Sequence, residues 1–545
     1  MPAPSPSPSP APAALAEAPA RPVPPRRRFR WLFAGLLLTL FSWHADWDIA
    51  AAAWLAAVPL MRFTRLSGPV NGFAWVFGLG LVAAAAWMAL SGLLVPGFWL
   101  PLGIVSLAAV TAVPLLADRL LAPRLGAVGT VLATLVFPTA RVACEFLIGE
   151  FSGIGAFLGV LGTTQHANLP LIQLASVTGA YGVSFLVAWS APVTVTAWER
   201  GFALRRVRGA VAAYTAVLGA VLAGGGLLLA FAAPASDTVR VVGVSPARAA
   251  KESLADVDRR APGFAAFLAD RDAQRAAFGP VQDDIVRRTE DAARSGADVV
   301  SWPETDVPTT DWGKDALVDR VGAVASEHGV HVLMGLLVYT EDPGLVRNQA
   351  VLVGPDGAPS AVYDKAHPTP MEAVAMEPGD GVLPARDTRH GRIGVAICYD
   401  ADFPALMRQG GRAGVDLMLV PANDWSGIDR MHPERATLRA VENGYALVRQ
   451  ATNGIATAVD HQGRPLGRSD HDRTAQQTMT ADVPSSGVPT LYSRIGDTFA
   501  WLCVAATTGA AAAVALRRRR DRGRAAGTGA PYTGGQGTAG QSGDG

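Results

Sequence analysis

The chain has 545 residues, half of them hydrophobic and only 17% charged against about 25% in soluble domains, which excludes both a single soluble globule and a disordered polymer. Its net charge of +1 divides into −10 over residues 236–490 and +11 over the remainder, so the two parts face different surroundings. Three cysteines exclude a disulfide scaffold and a CxxC zinc site.

Residues 1–24 are Pro, Ala and Ser with almost no large apolar side chains. Such a stretch buries too little surface to offset its ordering entropy, and a disordered basic tail over 1–30, ending in Arg26, Arg27, Arg28 and Arg30, is expected. Apolar runs then follow one another at 31–45, 48–62, 72–95, 97–117, 126–148, 172–197 and 209–233, with an eighth at 498–516. A signal peptide would be followed by no such series. Most of the runs reach the roughly 20 residues that cross the bilayer core. A polytopic α-helical membrane domain of about eight spans is expected, seven in 31–235 and the last in 491–516.

Basic clusters fall on alternate connections: Arg26–Arg30, Arg62 with Arg65, Arg119 with Arg124, and Arg200 to Arg208. The loops between them, 44–48 and 149–170, hold no Lys or Arg. Basic loops stay cytoplasmic. Both termini are therefore expected inside, the acidic block 236–490 outside, and 517–545 as a disordered cytoplasmic tail behind Arg517–Arg520. Glu145, near the outer end of the fifth span, reads equally as a functional intramembrane carboxylate or a hydrated end residue. Cys144 and Cys503 sit in or beside spans and read as packing residues.

Within 236–490, β-rich runs such as Val239–Val244, Asp298–Trp302, Val330–Leu336 and Arg392–Ile397 alternate with helical stretches at 280–295, 315–328 and 431–444. An α/β layered domain is expected. Three residues carry chemistry. Cys398 ends an apolar strand, where a turn exposes a sulfur, although a free cysteine is more often structural. Glu304 follows Val299–Pro303 and suits a general base, with a solvated loop acid as the plain alternative. Lys365 is one of three lysines beside 44 arginines, a hint that a compact ammonium is wanted there. Together they form a set: Glu304 takes the thiol proton, and Lys365 holds the thiolate and then the oxyanion, with the N–H of Tyr399 as second donor. Trp302 reads as packing and His367 as a loop histidine.

The order Trp302-Pro303-Glu304, Tyr363-Asp364-Lys365-x-His367, Ile397-Cys398-Tyr399-Asp400 resembles the Glu–Lys–Cys triad of the nitrilase (carbon–nitrogen hydrolase) superfamily. That resemblance implies an αββα sandwich for 236–490. Such a domain set between seven spans and one more is similar to the bacterial apolipoprotein N-acyltransferase family. Arg141…Glu145, Gly162–Gln165 and Leu491–Asp497 add to the likeness. It implies an acyltransferase of the bacterial plasma membrane that needs no metal or organic cofactor and binds no nucleic acid. It would act as a monomer through a Cys398 thioester, with a phospholipid as donor and a diacylglyceryl apolipoprotein as acceptor. The sequence departs from the pattern in three places. The second loop glutamate falls one residue early, which makes Glu372 its candidate and Glu377 the reserve. Asp400 stands where the family has Glu, and Gly243–Pro246 replaces a Gln-x-Asn segment. A membrane-tethered amidase acting on a small amide, and a non-catalytic lipoprotein-binding paralogue, are the alternatives.

Overall fold

The computed structural model describes residues 25–527 except 44–46, 96, 127–128, 233–236, 256, 258–262, 343, 426 and 475–476. The expectations for 1–24 and 528–545 lie outside the described residues. Helix α1 (Pro25–Leu40) begins inside the stretch expected to be a tail; proline suits a first helical turn and arginine is a good helix former. Its 16 residues extend only about 24 Å. The next run, α2 (Ala50–Leu55) with α3 (Ala57–Arg65), is no longer. The first two expected spans are thus shorter than each of the six long helices that follow.

Six helices among the described residues are long and apolar enough to cross a membrane. They are α4 (Pro69–Leu90), α5 (Trp99–Leu125), α6 (Thr130–Phe151), α7 (Ala180–Glu199), α8 (Leu204–Phe231) and the last helix, Thr498–Gly527. The apolar run 172–197 is not one helix. Short turns of helix at Leu169–Ile172 and Ala175–Thr178 stop at Gly179, whose φ is +68°. A Cβ there would lie 2.6 Å from the Tyr492 ring, so only glycine fits the break. The last helix continues to Gly527, through residues expected to be a tail.

The acidic block folds as two stacked sheets. The first runs β15-β1-β2-β4-β5-β6, with β3 paired to β4. Its strands are β1 (Thr238–Val244), β2 (Val299–Ser301), β3 (Val307–Thr310), β4 (His331–Tyr339), β5 (Val346–Val353), β6 (Pro359–Asp364) and β15 (Thr478–Pro484). The second runs β14-β13-β11-β9-β8-β7. It comprises β7 (Ala385–Thr388), β8 (Gly391–Val395), β9 (Leu417–Leu419), β11 (Ala446–Arg449), β13 (Ile455–Val459) and β14 (Pro465–Asp470). A short parallel pair, β10 (Ala422–Asn423) with β12 (Ala451–Thr452), extends it. Side chains alternate across each strand. Val239 and Val241 meet Ile393, Leu417 and Leu447 between the sheets, while Val242 and Val244 face α9 (Arg271–Arg294) and α10 (Asp311–His328). On the far side α11 (Pro404–Arg412) and α12 (Met431–Asn443) cover the second sheet. This is an α/β sandwich of four layers. All of α12 but Glu434 is buried, because Leu438 and Val441 pack on the membrane helices.

Candidate active site

Three strand ends converge. Glu304 follows β2 after Trp302, whose indole N–H bonds Thr289 Oγ1 on α9 at 2.8 Å. Lys365 follows β6, its backbone N–H bonding the Asn348 carbonyl at 2.9 Å. Cys398 follows β8, its N–H bonding the Pro421 carbonyl at 2.9 Å. Burial of all three is nearly complete. Cys398 has φ of +45°, a left-handed conformation that a cysteine rarely adopts. Thr305 and Asn453, both close to the site, share this feature. Such residues persist where surrounding contacts over-determine them, typically at functional sites.

Asp400 supplies those contacts. One carboxylate oxygen accepts the Tyr363 hydroxyl at 2.8 Å and the Ile397 N–H at 3.2 Å. The other accepts the His367 N–H at 2.9 Å, and the His367 ring lies 3.1 Å away. The Cys398 turn and the strand bearing Lys365 are thus tied to one buried carboxylate.

The Lys365 ammonium lies 2.7 Å from Glu304 Oε1 and 2.6 Å from Glu372 Oε2. Asn348 Nδ2 donates to Glu304 at 2.6 Å and to Glu372 at 3.3 Å. The Asn423 N–H donates to Glu304 Oε2 at 2.8 Å. Of the two loop candidates, Glu372 therefore reaches the lysine, whereas Glu377 is exposed. One ammonium cannot neutralise two carboxylates. Burial, reinforced by Glu372, raises the pKa of Glu304 against the pull of Lys365. Burial acts the same way on Glu372, but Lys365 and the Thr369 backbone outweigh it and hold that group low. For Lys365, burial disfavours the ammonium, yet Glu304 and Glu372 overcome it and hold the pKa well above the ordinary value. Burial, with the negative charge of Glu304, pushes the Cys398 thiol well up. Both effects favour the protonated thiol, whose Sγ lies 4.0 Å from the Asn423 carbonyl oxygen. A base is needed at the moment of attack, and Glu304 is in place to be that base.

A small apolar cavity of about 50 Å³ adjoins this set. Met88 and Trp99 of the membrane helices form one wall; Phe157, Pro370, Tyr399 and Trp425 form the rest. The Tyr399 hydroxyl donates to the Ile154 carbonyl at 2.9 Å, joining the residue after the nucleophile to the membrane part.

Sequence matches follow the same division. The family model described as "Apolipoprotein N-acyltransferase N-terminal domain" matches residues 34–193, and "Carbon-nitrogen hydrolase" matches 269–491. A curated protein named apolipoprotein N-acyltransferase from Geobacter metallireducens is 29% identical over 536 residues, covering 91% of this chain and 96% of the relative. Over nearly its whole length the chain is similar to apolipoprotein N-acyltransferases. A relative of the same name from Bradyrhizobium diazoefficiens is 27% identical and covers 72% of the chain and 76% of itself. Among solved structures, an amidase from Nesterenkonia sp. aligns with 49% of this chain and 95% of its own, at 21% identity and a TM-score of 0.37. The protein is a bacterial membrane acyltransferase.

All three triad residues and Glu372 lie within the matched carbon–nitrogen hydrolase segment. Cys144 and Cys503 lie in helices α6 and Thr498–Gly527, outside the site. The Arg141–Glu145 pair, 2.5 Å apart, is buried in α6. Sequence reasoning missed Asn348 and the network behind the sulfur. There the Arg449 guanidinium grips Asp424 at 2.6 and 2.7 Å, and its Nη2 lies 3.8 Å from Cys398 Sγ. His432 Nδ1 lies 3.0 Å from Asp424, and its Nε2 lies 3.3 Å from Asp402. Donor atoms of Cys398, Asp424 and His432 fall within 4.8 Å of one another. A metal ion there would have to compete with the guanidinium for both oxygens of Asp424. Asn423-Asp424 after a strand and Arg449 at the end of an apolar one were the available signals.

Proposed function

We propose that the protein transfers an acyl chain from a membrane phospholipid to the N-terminal amine of diacylglyceryl-cysteine apolipoproteins, through a thioester on Cys398. The observation that carries this reading is the buried Glu304–Lys365–Cys398 set beside an apolar cavity walled by α4 and α5. In the first half-reaction Cys398 Sγ attacks the ester carbonyl and its proton passes to Glu304. Lys365 and the N–H of Tyr399 hold the oxyanion. Collapse returns the proton to the leaving lysophospholipid alkoxide, and the thioester remains. The acceptor amine then attacks, Glu304 takes the proton it sheds and returns it to the sulfur, and the amide departs. Apolar walls keep water from the thioester and admit lipid from the side.

The basic loops support a topology with both termini cytoplasmic and the catalytic domain outside the plasma membrane. One chain carries the whole site, which supports action as a monomer. The test is incubation of membranes with labelled phospholipid and a diacylated lipopeptide, together with intact-mass trapping of an acyl adduct on Cys398. An adduct and an amide product are expected. Turnover of a soluble amide without adduct would establish the amidase alternative. Retention of the cellular phenotype by Cys398→Ala would establish the binding alternative.

A further inference from the structure

The acyl-transfer reading uses the charges on one side of the sulfur; the other side is also built. Arg449 closes β11, and Cys398 follows β8. The two strands flank β9, and all three run parallel. Their carboxyl ends therefore bring guanidinium and thiol together, with Asp424 between them in sequence. Arg449 is fully buried, and Asp424 is 2% exposed. A buried ion pair is a poor device for stability alone, since apolar isosteres of equal volume serve as well or better. The geometry indicates another use. The fork that binds both Asp424 oxygens leaves Nη2 facing Sγ at 3.8 Å and His432 Nδ1 at 3.2 Å.

We propose that Arg449 is a second cation of the catalytic centre: it donates to the Cys398 thiolate formed when Glu304 takes the proton, with the Asp424 carboxylate as the counter-ion that damps its charge and His432 packed beside it. The proposal rests on the acyl-transfer reading for its role in catalysis, but not for its chemistry at the sulfur. The charged groups of the site are Glu304, Lys365 and Glu372, linked through the lysine, and Arg449, Asp424 and His432, linked through the aspartate, with Asp400 and Asp402 in the Cys398 turn. Arg449 and Lys365 favour the thiolate; Glu304 and Asp424 oppose it. Removing Arg449 and removing the charge of Asp424 must then move the thiol in opposite directions.

The test uses the full chain in lipid nanodiscs with Cys144 and Cys503 replaced by alanine. Iodoacetamide is the probe: the sulfur gains the carbamidomethyl group, iodide leaves, and the thiol proton passes to Glu304 or water. Rates are followed by intact mass between about pH 6 and 10, where one unit of pKa is tenfold in thiolate. Arg449→Met is expected to slow alkylation at neutral pH by about tenfold or more, and Arg449→Lys by less. Asp424→Asn is expected to accelerate it. Should Arg449→Met fail to fold, the opposite displacements of Arg449→Lys and Asp424→Asn decide. Profiles of the Arg449 variants that superimpose on the parent, or a slowing in Asp424→Asn as well, overturn the proposal. The reagent needs no lipid. Shifted alkylation without an acyl adduct therefore sinks the acyl-transfer reading and spares Arg449, and an adduct with unshifted alkylation does the reverse.

Discussion

Replacing Lys365 by arginine keeps the charge and tests whether charge is enough. The ammonium sits 2.7 Å from Glu304 and 2.6 Å from Glu372, with the side chain 2% exposed. A guanidinium is planar, wider, and matched to one carboxylate at a time. Fitting it into this closed space carries an overpacking cost of about 1–3 kcal/mol. Its fork would also align with Glu304 or Glu372, leaving no N–H directed at the oxyanion. Loss of one such donor is worth about 2.7–4 kcal/mol, or roughly 10²–10³ in rate. Lys365→Arg should therefore lose at least a hundredfold in the rate of Cys398 acylation, close to the loss in Lys365→Met. The methionine variant leaves two carboxylates facing each other and should also unfold more readily, by about 3–5 kcal/mol. The assay is single-turnover acylation in phospholipid vesicles, read by intact mass, beside a thermal melt. Acylation by Lys365→Arg within about threefold of the parent enzyme would refute the oxyanion role.

Glu372→Gln should slow transfer by more than tenfold while Glu377→Gln does not, because only Glu372 reaches Lys365; paired initial rates decide. Cys398→Ala should abolish the acyl adduct, and Cys144→Ala and Cys503→Ala should retain it, since those two sulfurs lie in helices away from the site; equal loss in all three contradicts the assignment. Burial, against the opposing Arg439, raises the pKa of Glu442 from 4.5 to about 7. The folded state then binds the extra proton, so its stabilising contribution is complete below about pH 4.5 and is lost as the pH rises through about 7. The melting temperature should fall between pH 5 and 8, and Glu442→Gln should flatten that slope.

Much of this was legible from local pattern. Valines at 239, 241, 242 and 244 announce a strand buried on both faces, and they divide between the inter-sheet core and the helix layer. Glu304, Lys365 and Cys398 each follow such a strand, so their positions at strand ends could be read one at a time. Asn348 could not. It is an interior residue of β5, and it reaches Glu304 only because sheet register places it there, 44 residues away in sequence. Arg449 looks like one more residue of an apolar strand until parallel pairing through β9 brings it to Cys398. The interrupted run before α7 was hidden for another reason: composition records apolarity, and Gly179 breaks the helix by backbone geometry.

Glu145 had two readings in sequence, and its surroundings separate them. Arg141 donates to Glu145, to the Val110 carbonyl at 3.1 Å and to the Gly159 carbonyl at 2.8 Å; Glu145 accepts the Leu161 N–H at 3.2 Å. Both backbone groups belong to the segment of irregular chain and short 3-10 turns that follows α6, and Leu161 opens one of those turns. In apolar surroundings such a backbone must find its partners within the protein, and the pair supplies them. The same segment holds Ile154, which accepts the Tyr399 hydroxyl, and Phe157, whose ring meets Tyr399 and His432. Gly155, at φ +59°, lets the chain pass so close to the Asp402 carbonyl that a Cβ would lie 2.7 Å from it. The intramembrane ion pair thus fixes a turn that forms a wall of the apolar cavity and braces the residue next to the nucleophile. Through Arg141 and Glu145 Oε1 the pair ties this turn to α5 and α6, so the segment beside the catalytic turn is held against the membrane part.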